Sequence, residues 1–590
     1  MSRREIEFER SIHGSVFLRL MKYAVPYIGW FLLAFVLVLA ITGFELLRPA
    51  LLGRVIDLFA ERSEFDAIQN TALIYILVLA GSFICNMAQT WILQLTGQKI
   101  IYNIRQEVFE YIHKLSLRFF DITPVGKIVT RVTNDVEALH EMFANILVKL
   151  IKNIVKIIGL AIVMLSINVQ IALYSFLVLP AIFALTWCFK RVSRATYRIA
   201  RSKITSLNTY LSEHLSGMKL IQIFAREKEK NAEFQMKSED LYYANNREMM
   251  VFAIFRPLTY FLSIIALIII IATGSDSVLR GVISVGTLYT LIQYISSFFE
   301  PIQELAEQFG TLQSAMASAE KIFTILDEEI AVKNPTNPAQ INEIHGRIEF
   351  DHVWFAYEGE NWILKDVSFV MEPGQSIAFV GATGAGKSSI LNLIGRYYDI
   401  QKGRILIDGV DIREIDLKTL RSSIGQVQQD VFLFTGDVKG NIRLRNEAIT
   451  QEEIEKAAEY VNAAPFIHQL EHGFEEPVSE RGATFSAGQR QLLSFARTLA
   501  YNPKILVMDE ATANIDTETE LLIQGALSTL MKGRTTIMVA HRLSTIQHAD
   551  QIIVMHKGEL REKGTHQELL NINGIYKKLY QLQLEGERSC

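Results

Sequence analysis

The sequence predicts an α-helical membrane bundle followed by an α/β domain, and three observations carry that reading. Long apolar runs crowd the first half of the chain and stop near residue 310. After Arg347, short β-type runs alternate with helical ones, the texture of a layered α/β fold. A glycine-rich segment, GATGAGKSS at Gly381–Ser389, stands between an apolar strand and a helix. Half of the 590 residues are hydrophobic, which fits a chain with one lipid-facing half and one water-facing half.

Six apolar runs begin at Ile28, Ala72, Ile146, Val169, Val251 and Val282. Each supplies the ~20 residues that a helix needs to cross a ~30 Å hydrocarbon core, where every backbone polar group must be paired internally. Lys149, Lys152 and Lys156 recur along the third run, and that stretch is expected to extend beyond the bilayer. The connections after the second and fourth runs are long and carry Lys99, Arg105, Lys114, Arg118, Lys127 and Arg131, then Arg191, Arg194, Arg198 and Arg201 among others. The short connections carry only Arg54, Arg62 and Arg280. That asymmetry puts the long connections and both termini in the cytoplasm. Their apolar spacing of three and four residues predicts that the spans continue as helices past the membrane. The turn chemistry of Asp121–Gly126 places one transverse joint, and Ser216-Gly217 places the other.

The chain start is charged and amphipathic, with Arg3, Arg4 and Arg10, and lacks the pattern of a secretory signal. It reads as an elbow helix over residues 1–27, followed by the six-helix membrane domain at 28–326, a polar linker at 327–346 and the α/β domain at 347–590. A formal net charge of −4 leaves no basic footprint, so no nucleic-acid partner is expected. Cys85, Cys188 and Cys590 form no CxxC pair, which argues against a disulfide framework or a zinc site. Within the spans, Glu45, Arg48 and Arg256 are costly in lipid and are expected to face the bundle interior, either lining a path or pairing with each other. Tyr289, Tyr294, Phe298 and Phe299 in the sixth run either contact an amphiphilic substrate or pack between helices.

Gly381–Ser389 fits G-x-x-x-x-G-K-[ST], follows the strand SIAFV and opens the helix SSILNLIGRYY. Its glycines let backbone N–H groups close around a phosphate at a helix N-terminus. Gly381, Thr383, Gly384, Ala385, Gly386 and Ser389 build the cradle, Lys387 reaches the β- and γ-phosphates, and Ser388 ligates Mg²⁺. The strand ILVMDE, at Ile505–Glu510, ends in two carboxylates. Asp509 is placed for the Mg²⁺ shell and Glu510 for the attacking water, the arrangement that phosphoryl transfer from ATP requires.

With RGATFSAGQ from Arg481 added to these motifs, the chain resembles an ATP-binding cassette (ABC) transporter, an exporter half-transporter with membrane domain and ATPase fused in that order. The resemblance covers essentially the whole chain, and RFFDITPVGKIVTRVTNDV from Arg118 is similar to the first coupling segment of these exporters. It implies an α/β P-loop NTPase domain of ABC type after the six spans, and residue roles follow from it. Tyr357 stacks on adenine, and Gln429 touches Mg²⁺ and water, although Gln428 stands where proline is common. Glu480 lies in a cross-talk loop, Asp516 faces an opposing ATPase domain, and His541 contacts the γ-phosphate.

The family's signature loop, usually LSGGQ, here reads Phe485-Ser486-Ala487-Gly488-Gln489. Its Ser486, Gly488 and Gln489 would cap the nucleotide of a second ATPase domain, so a second subunit is required. Ala487 adds a Cβ where backbone meets phosphate, while Glu510 and His541 are intact. That pairing resembles one subunit of a bacterial heterodimeric multidrug exporter of hydrophobic or amphipathic small molecules. A homodimeric lipid flippase or peptide exporter is the alternative, and a regulatory membrane protein gated by ATP is a rival that Glu510 and His541 speak against.

Overall fold

The structure is a computed structural model that describes residues 15–61, 65–341, 343–509, 517–539 and 546–588. The chain divides into two compact units. The first runs to His113 and resumes over Pro124–Glu328, and the second comprises Lys114–Thr123 together with the chain from Glu329 onward.

The first unit is helical throughout. Its long helices are α1 (Ile28–Ala60), α2 (Phe65–Ile112), α4 (Val125–Ile167), α5 (Val169–Ser216) and α7 (Glu227–Leu279). All five contain a stretch long and apolar enough to cross a membrane. α2 has 48 residues and α7 has 53. At ~1.5 Å per residue each is over twice as long as the hydrocarbon core is thick. The long connections are therefore helix, as their periodicity predicts. Two six-residue helices sit at the expected joints: α3 (Leu117–Ile122), which belongs to the second unit, and α6 (Met218–Ile223). The sixth span is divided between α8 (Val285–Ser296) and α9 (Phe299–Leu326). Pro301, in the first turn of α9, has no N–H to return to the carbonyl of Ser297, which favours the break there.

Several charges inside this unit lie in ion pairs. The Glu45 carboxylate of α1 lies 3.1 Å from Lys152 Nζ and 3.4 Å from Lys156 Nζ of α4. Lys156 also reaches Glu300 of α9 at 3.6 Å, and the buried Asn153 amide donates to Glu304 at 2.8 Å. Lys152 and Lys156 thus stand beside the middle of α1. A counter-charge makes the site tolerable, because an unpaired ion in lipid costs several kcal/mol. Arg48 does not pair with Glu45 but donates to Ser82 Oγ. The Arg256 side chain is 69% exposed in the single chain and lies 3.6 Å from Glu307. The aromatics of the sixth run pack. Tyr294, Phe298 and Phe299 are buried in one apolar cluster, and the Tyr294 hydroxyl donates to the Leu46 carbonyl at 2.6 Å. Cys85 and Cys188 are free thiols.

α1 and α8 cross with their backbones in contact. A Cβ on Gly286 would overlap the carbonyl oxygen of Gly53, and one on Gly53 would overlap that of Gly286. One turn further along α1, Asp57 caps α8, accepting from Gly286 N–H at 2.7 Å and from Ser284 Oγ at 2.6 Å. The carboxylate meets the positive end of the helix dipole there.

The second unit is an α/β domain. A four-stranded antiparallel sheet has the order β2 (Leu364–Met371), β1 (Ile348–Phe355), β4 (Lys402–Ile407), β5 (Val410–Asp411). A six-stranded sheet has the order β12 (Glu559–Gly564), β11 (Gln551–His556), β3 (Ser376–Val380), β10 (Thr535–Val539), β9 (Ile505–Asp509), β6 (Ile424–Val427). All neighbours in it are parallel except β11 and β12. Side chains alternate between two cores. Ile377, Phe379, Ile505 and Val507 enter one, while Ala378, Val380, Leu506 and Met508 enter the other. Both faces are covered, which is why these strands read as unbroken apolar runs.

The α1–α8 crossing is open to test. Gly286→Val should cost about 3 kcal/mol, the upper range for overpacking, and lower the thermal unfolding temperature of the detergent-purified chain. Gly29→Ala, with nothing within 4 Å of its Cβ, should be nearly neutral.

Candidate functional site

The parallel sheet gathers the chemistry-bearing residues at one edge. β3, β10, β9 and β6 are consecutive and parallel, so their C-terminal ends lie side by side. β3 leads into Gly381–Ser389, β9 ends on the half-buried Asp509, and β6 is followed by the exposed Gln429. This is the crevice where open parallel sheets hold ligands.

The glycine-rich loop is shaped by close contacts. Gly381 has φ +154°, and a Cβ there would overlap the Met555 carbonyl oxygen of the neighbouring strand. Gly386 has φ +99°, and its Cβ would press on Leu364 Cδ2 at 2.7 Å. Gly384 has φ +79° and open space beside it. These are backbone states that an L side chain resists. α10 (Lys387–Ile394) starts at Gly386 with no side-chain cap. The first-turn amides of a helix have no internal partners, so they form an anion-binding end directed out of the loop. Ala385 and Ser389 are buried, whereas Thr383 and Ser388 are exposed.

Lys387 is 6% exposed, and its ammonium is folded back into the loop. Nζ donates to the Gly381 carbonyl at 2.7 Å and the Ala382 carbonyl at 3.1 Å. Tyr357, two residues past β1, stands over the start of α10, its hydroxyl 3.1 Å from Ser389 Oγ. Uncapped amides, a buried ammonium held by carbonyls, an exposed Ser388 hydroxyl and a carboxylate two strands away suit a polyphosphate with a divalent cation.

Ser486, Gly488 and Gln489 belong to a separate helix, α11 (Ala487–Ala500). Ser486 is its N-cap in a reciprocal capping box: Ser486 Oγ accepts from Gln489 N–H at 3.2 Å, and Gln489 Oε1 accepts from Ser486 N–H at 2.9 Å. The hydroxyl accepts in that box, so its own proton remains to be donated. Ala487 is exposed, while Phe485 is buried in the core beneath the helix. Glu480 is exposed in a short 3₁₀ turn before α11. Glu510, Asp516 and His541 lie outside the described residues.

Residues just past α10 escaped the sequence reading. Tyr397 donates to Gln426 Oε1 in β6 at 3.0 Å, and Tyr398 donates to Asp121 of α3. Burial first, and the Asp121 hydrogen bond second, push the Tyr398 phenol well above its usual range, so it remains a neutral donor. The signal available was RYY directly after the phosphate-loop helix, but tyrosine carries no motif by itself.

Comparison with known proteins agrees with this architecture. The family model described as ABC transporter transmembrane region matches residues 31–302, and that described as ABC transporter matches residues 364–513. The Streptococcus pneumoniae ABC transporter ATP-binding protein exp8 is 40% identical over 96% of this chain and 97% of its own. "Probable multidrug resistance ABC transporter ATP-binding/permease protein YheH" of Bacillus subtilis is 39% identical over 86% of this chain and 75% of its own. "ATP-dependent lipid A-core flippase" of Syntrophus aciditrophicus is 34% identical over 98% and 96%. Among solved structures, "Structure of a bacterial Atm1-family ABC exporter with ATP bound" superposes with a TM-score of 0.78 at 26% identity, covering 96% of this chain and 98% of that one. Both halves of the family occur here in one chain and in the exporter order, and two of these three relatives match along almost their full length: the chain belongs to the ABC transporter family, as a multi-pass membrane protein of exporter fold that binds and hydrolyses ATP.

Proposed function

We propose that this chain is one subunit of a heterodimeric pump that exports hydrophobic or amphipathic compounds across the cytoplasmic membrane, with hydrolysis on its own phosphate loop. The observation that carries this reading is the start of α11: Ala487 presents an exposed methyl group at the helix end meant for a partner's nucleotide. Phe485 is a packing change, because it is buried. Ala487 is the change on the ligand side, and it weakens the site that this chain caps rather than the site that it builds. The name of the Bacillus subtilis relative supports a multidrug cargo. The name of the Syntrophus relative supports a lipid flippase as the second reading.

In the proposed mechanism the backbone of Gly381–Ser389 and the first turn of α10 grip the phosphates. Lys387 exchanges its loop carbonyls for β- and γ-phosphate oxygens, and Tyr357 stacks on adenine. Ser388, Asp509 and Gln429 would hold Mg²⁺, which when bound would supply positive charge against the phosphates. Glu510 orients the attacking water, His541 contacts the γ-phosphate and Asp516 faces the partner. The partner's signature loop supplies the lid, as Ser486, Gly488 and Gln489 do for the partner. ATP favours the closed pair of ATPase domains in the cytoplasm, and the preference shifts the membrane helices between inward- and outward-facing populations. Membrane domain, linker and ATPase domain divide near residues 326 and 347.

Lys387→Ala removes charge-assisted hydrogen bonds of about 3 kcal/mol in total. A fluorescent ATP analogue titrated into the purified chain should therefore bind about 100-fold more weakly. Purified alone, the chain should hydrolyse ATP weakly. Co-expressed with a partner bearing an intact LSGGQ, it should hydrolyse ATP robustly, and Glu510→Gln or removal of divalent cations with EDTA should abolish the activity. Full dye-stimulated activity from the single chain would contradict the heterodimer.

A further inference from the structure

The far end of the phosphate-loop helix is tied to three other parts of the second unit. Arg396 is 4% exposed and left-handed at φ +47°. Its Nε donates to Asp399 at 2.8 Å, and its Nη2 donates to the Lys333 carbonyl of the polar linker at 3.1 Å. Tyr397 holds Gln426, three residues before Gln429. Tyr398 donates its hydroxyl proton to Asp121 Oδ2 of α3, and its ring stands edge-on to Tyr357, with centroids 5.0 Å apart at 88°. Phe355 closes the triad, 4.7 Å from Tyr357 and 5.8 Å from Tyr398.

The two tyrosines, with Arg118 and Asp121 of α3 and with Glu358 and Asn361, wall a cavity of about 480 Å³. The cavity opens beside the residue assigned to the base, has the size of a small-ligand pocket, and is bounded on one side by α3. That short helix is continuous in the chain with α2 and α4, the second and third membrane helices. A side chain that touches the base-stacking residue with its ring and α3 with its hydroxyl joins the nucleotide site to both helices through two direct contacts.

We propose that Tyr398 is a positioning residue: its ring closes the base end of the ATP site beside Tyr357, and its hydroxyl holds Asp121, so that an adenine in the cavity fixes α3. This inference rests on the reading of Tyr357 as the base-stacking residue. An adenine that packs on Tyr357 restricts the ring of Tyr398, and a restricted ring holds its hydroxyl on Asp121. Without a base the Tyr398–Asp121 hydrogen bond is already formed, and a base packed on Tyr357 adds a further contact to the ring pair that carries it. The link acts at the adenine end of the nucleotide, so it reports occupancy before hydrolysis begins.

Hydrogen exchange with and without magnesium adenylyl imidodiphosphate, on the full chain in detergent, tests both levels at once. In the wild type the nucleotide should slow exchange at Gly381–Ser389 and at Lys114–Thr123. In Tyr398→Phe and in Asp121→Ala, slowing at Gly381–Ser389 should persist, while slowing at Lys114–Thr123 should fall about ten-fold or more, the scale of one charge-assisted hydrogen bond. Asp121→Asn keeps an acceptor and should behave as wild type. Persistent protection at Gly381–Ser389 certifies that each variant is folded, and Asp121→Ala, remote from the phosphates, carries the comparison if Tyr398→Phe loses it. Equal slowing of Lys114–Thr123 in wild type and both variants, or none in the wild type, overturns the inference. Absence of slowing at Gly381–Ser389 in the wild type instead overturns the ATP reading beneath it.

Discussion

The carbonyl oxygen of Met555 occupies the place where a side chain at residue 381 would have to stand. That single contact obliges the chain to leave β3 as glycine, with φ at +154°. The loop then turns back on itself at Gly384 and Gly386, and α10 begins without a side-chain cap. A helix end with open amides would be a defect in an ordinary domain. Here the same opening, with Lys387 folded against two loop carbonyls, is a ready receptor for phosphate. The rest of the second unit serves that helix. The parallel sheet brings Asp509 and Gln429 to the same edge, two cores clamp the sheet from both faces, and Arg396, Tyr397 and Tyr398 anchor the far end of α10.

The membrane unit answers a different constraint with local means. Lipid neither hydrates charge nor drives helices together as water does, so association depends on close packing and on polar partners. The Gly53–Gly286 contact allows α1 and α8 to touch backbone to backbone, and Asp57 satisfies the amide end of α8 beside it. Glu45 lies between Lys152 and Lys156 and so joins α1 to α4 by charge. Glu45 therefore carries a charge pair from α1 to α4 and not to Arg48 or Arg256. The buried Tyr294, Phe298 and Phe299 contribute apolar surface to helix association.

Legibility in the sequence followed the range of the interactions. The strands at SIAFV, ILVMD and TTIMV were readable because a strand buried on both faces is apolar at every position, and GATGAGKSS because its geometry demands particular residue types in series. The long helices were readable from periodicity. What escaped depends on partners distant in sequence. The partner of Lys152 and Lys156, Glu45, stands more than a hundred positions earlier and could not be paired with them from spacing. The ion partner of Arg256, Glu307, stands on another helix some fifty positions later. Tyr398 is one aromatic among twenty tyrosines until Asp121 is found at its hydroxyl. The break between α8 and α9 was hidden because the apolar run continues across it.

In the proposed pump the hydrolytic site is built on this chain's own phosphate loop, and the altered loop at Phe485–Gln489 caps the weaker site. Vanadate trapping of a photoreactive azido-ATP in the purified transporter tests it most directly, because trapping requires turnover and the label marks the chain that holds the nucleotide. The trapped label should fall on this chain, at the peptide containing Tyr357, where the base is assigned. A label that falls only on a co-purifying second chain would contradict it.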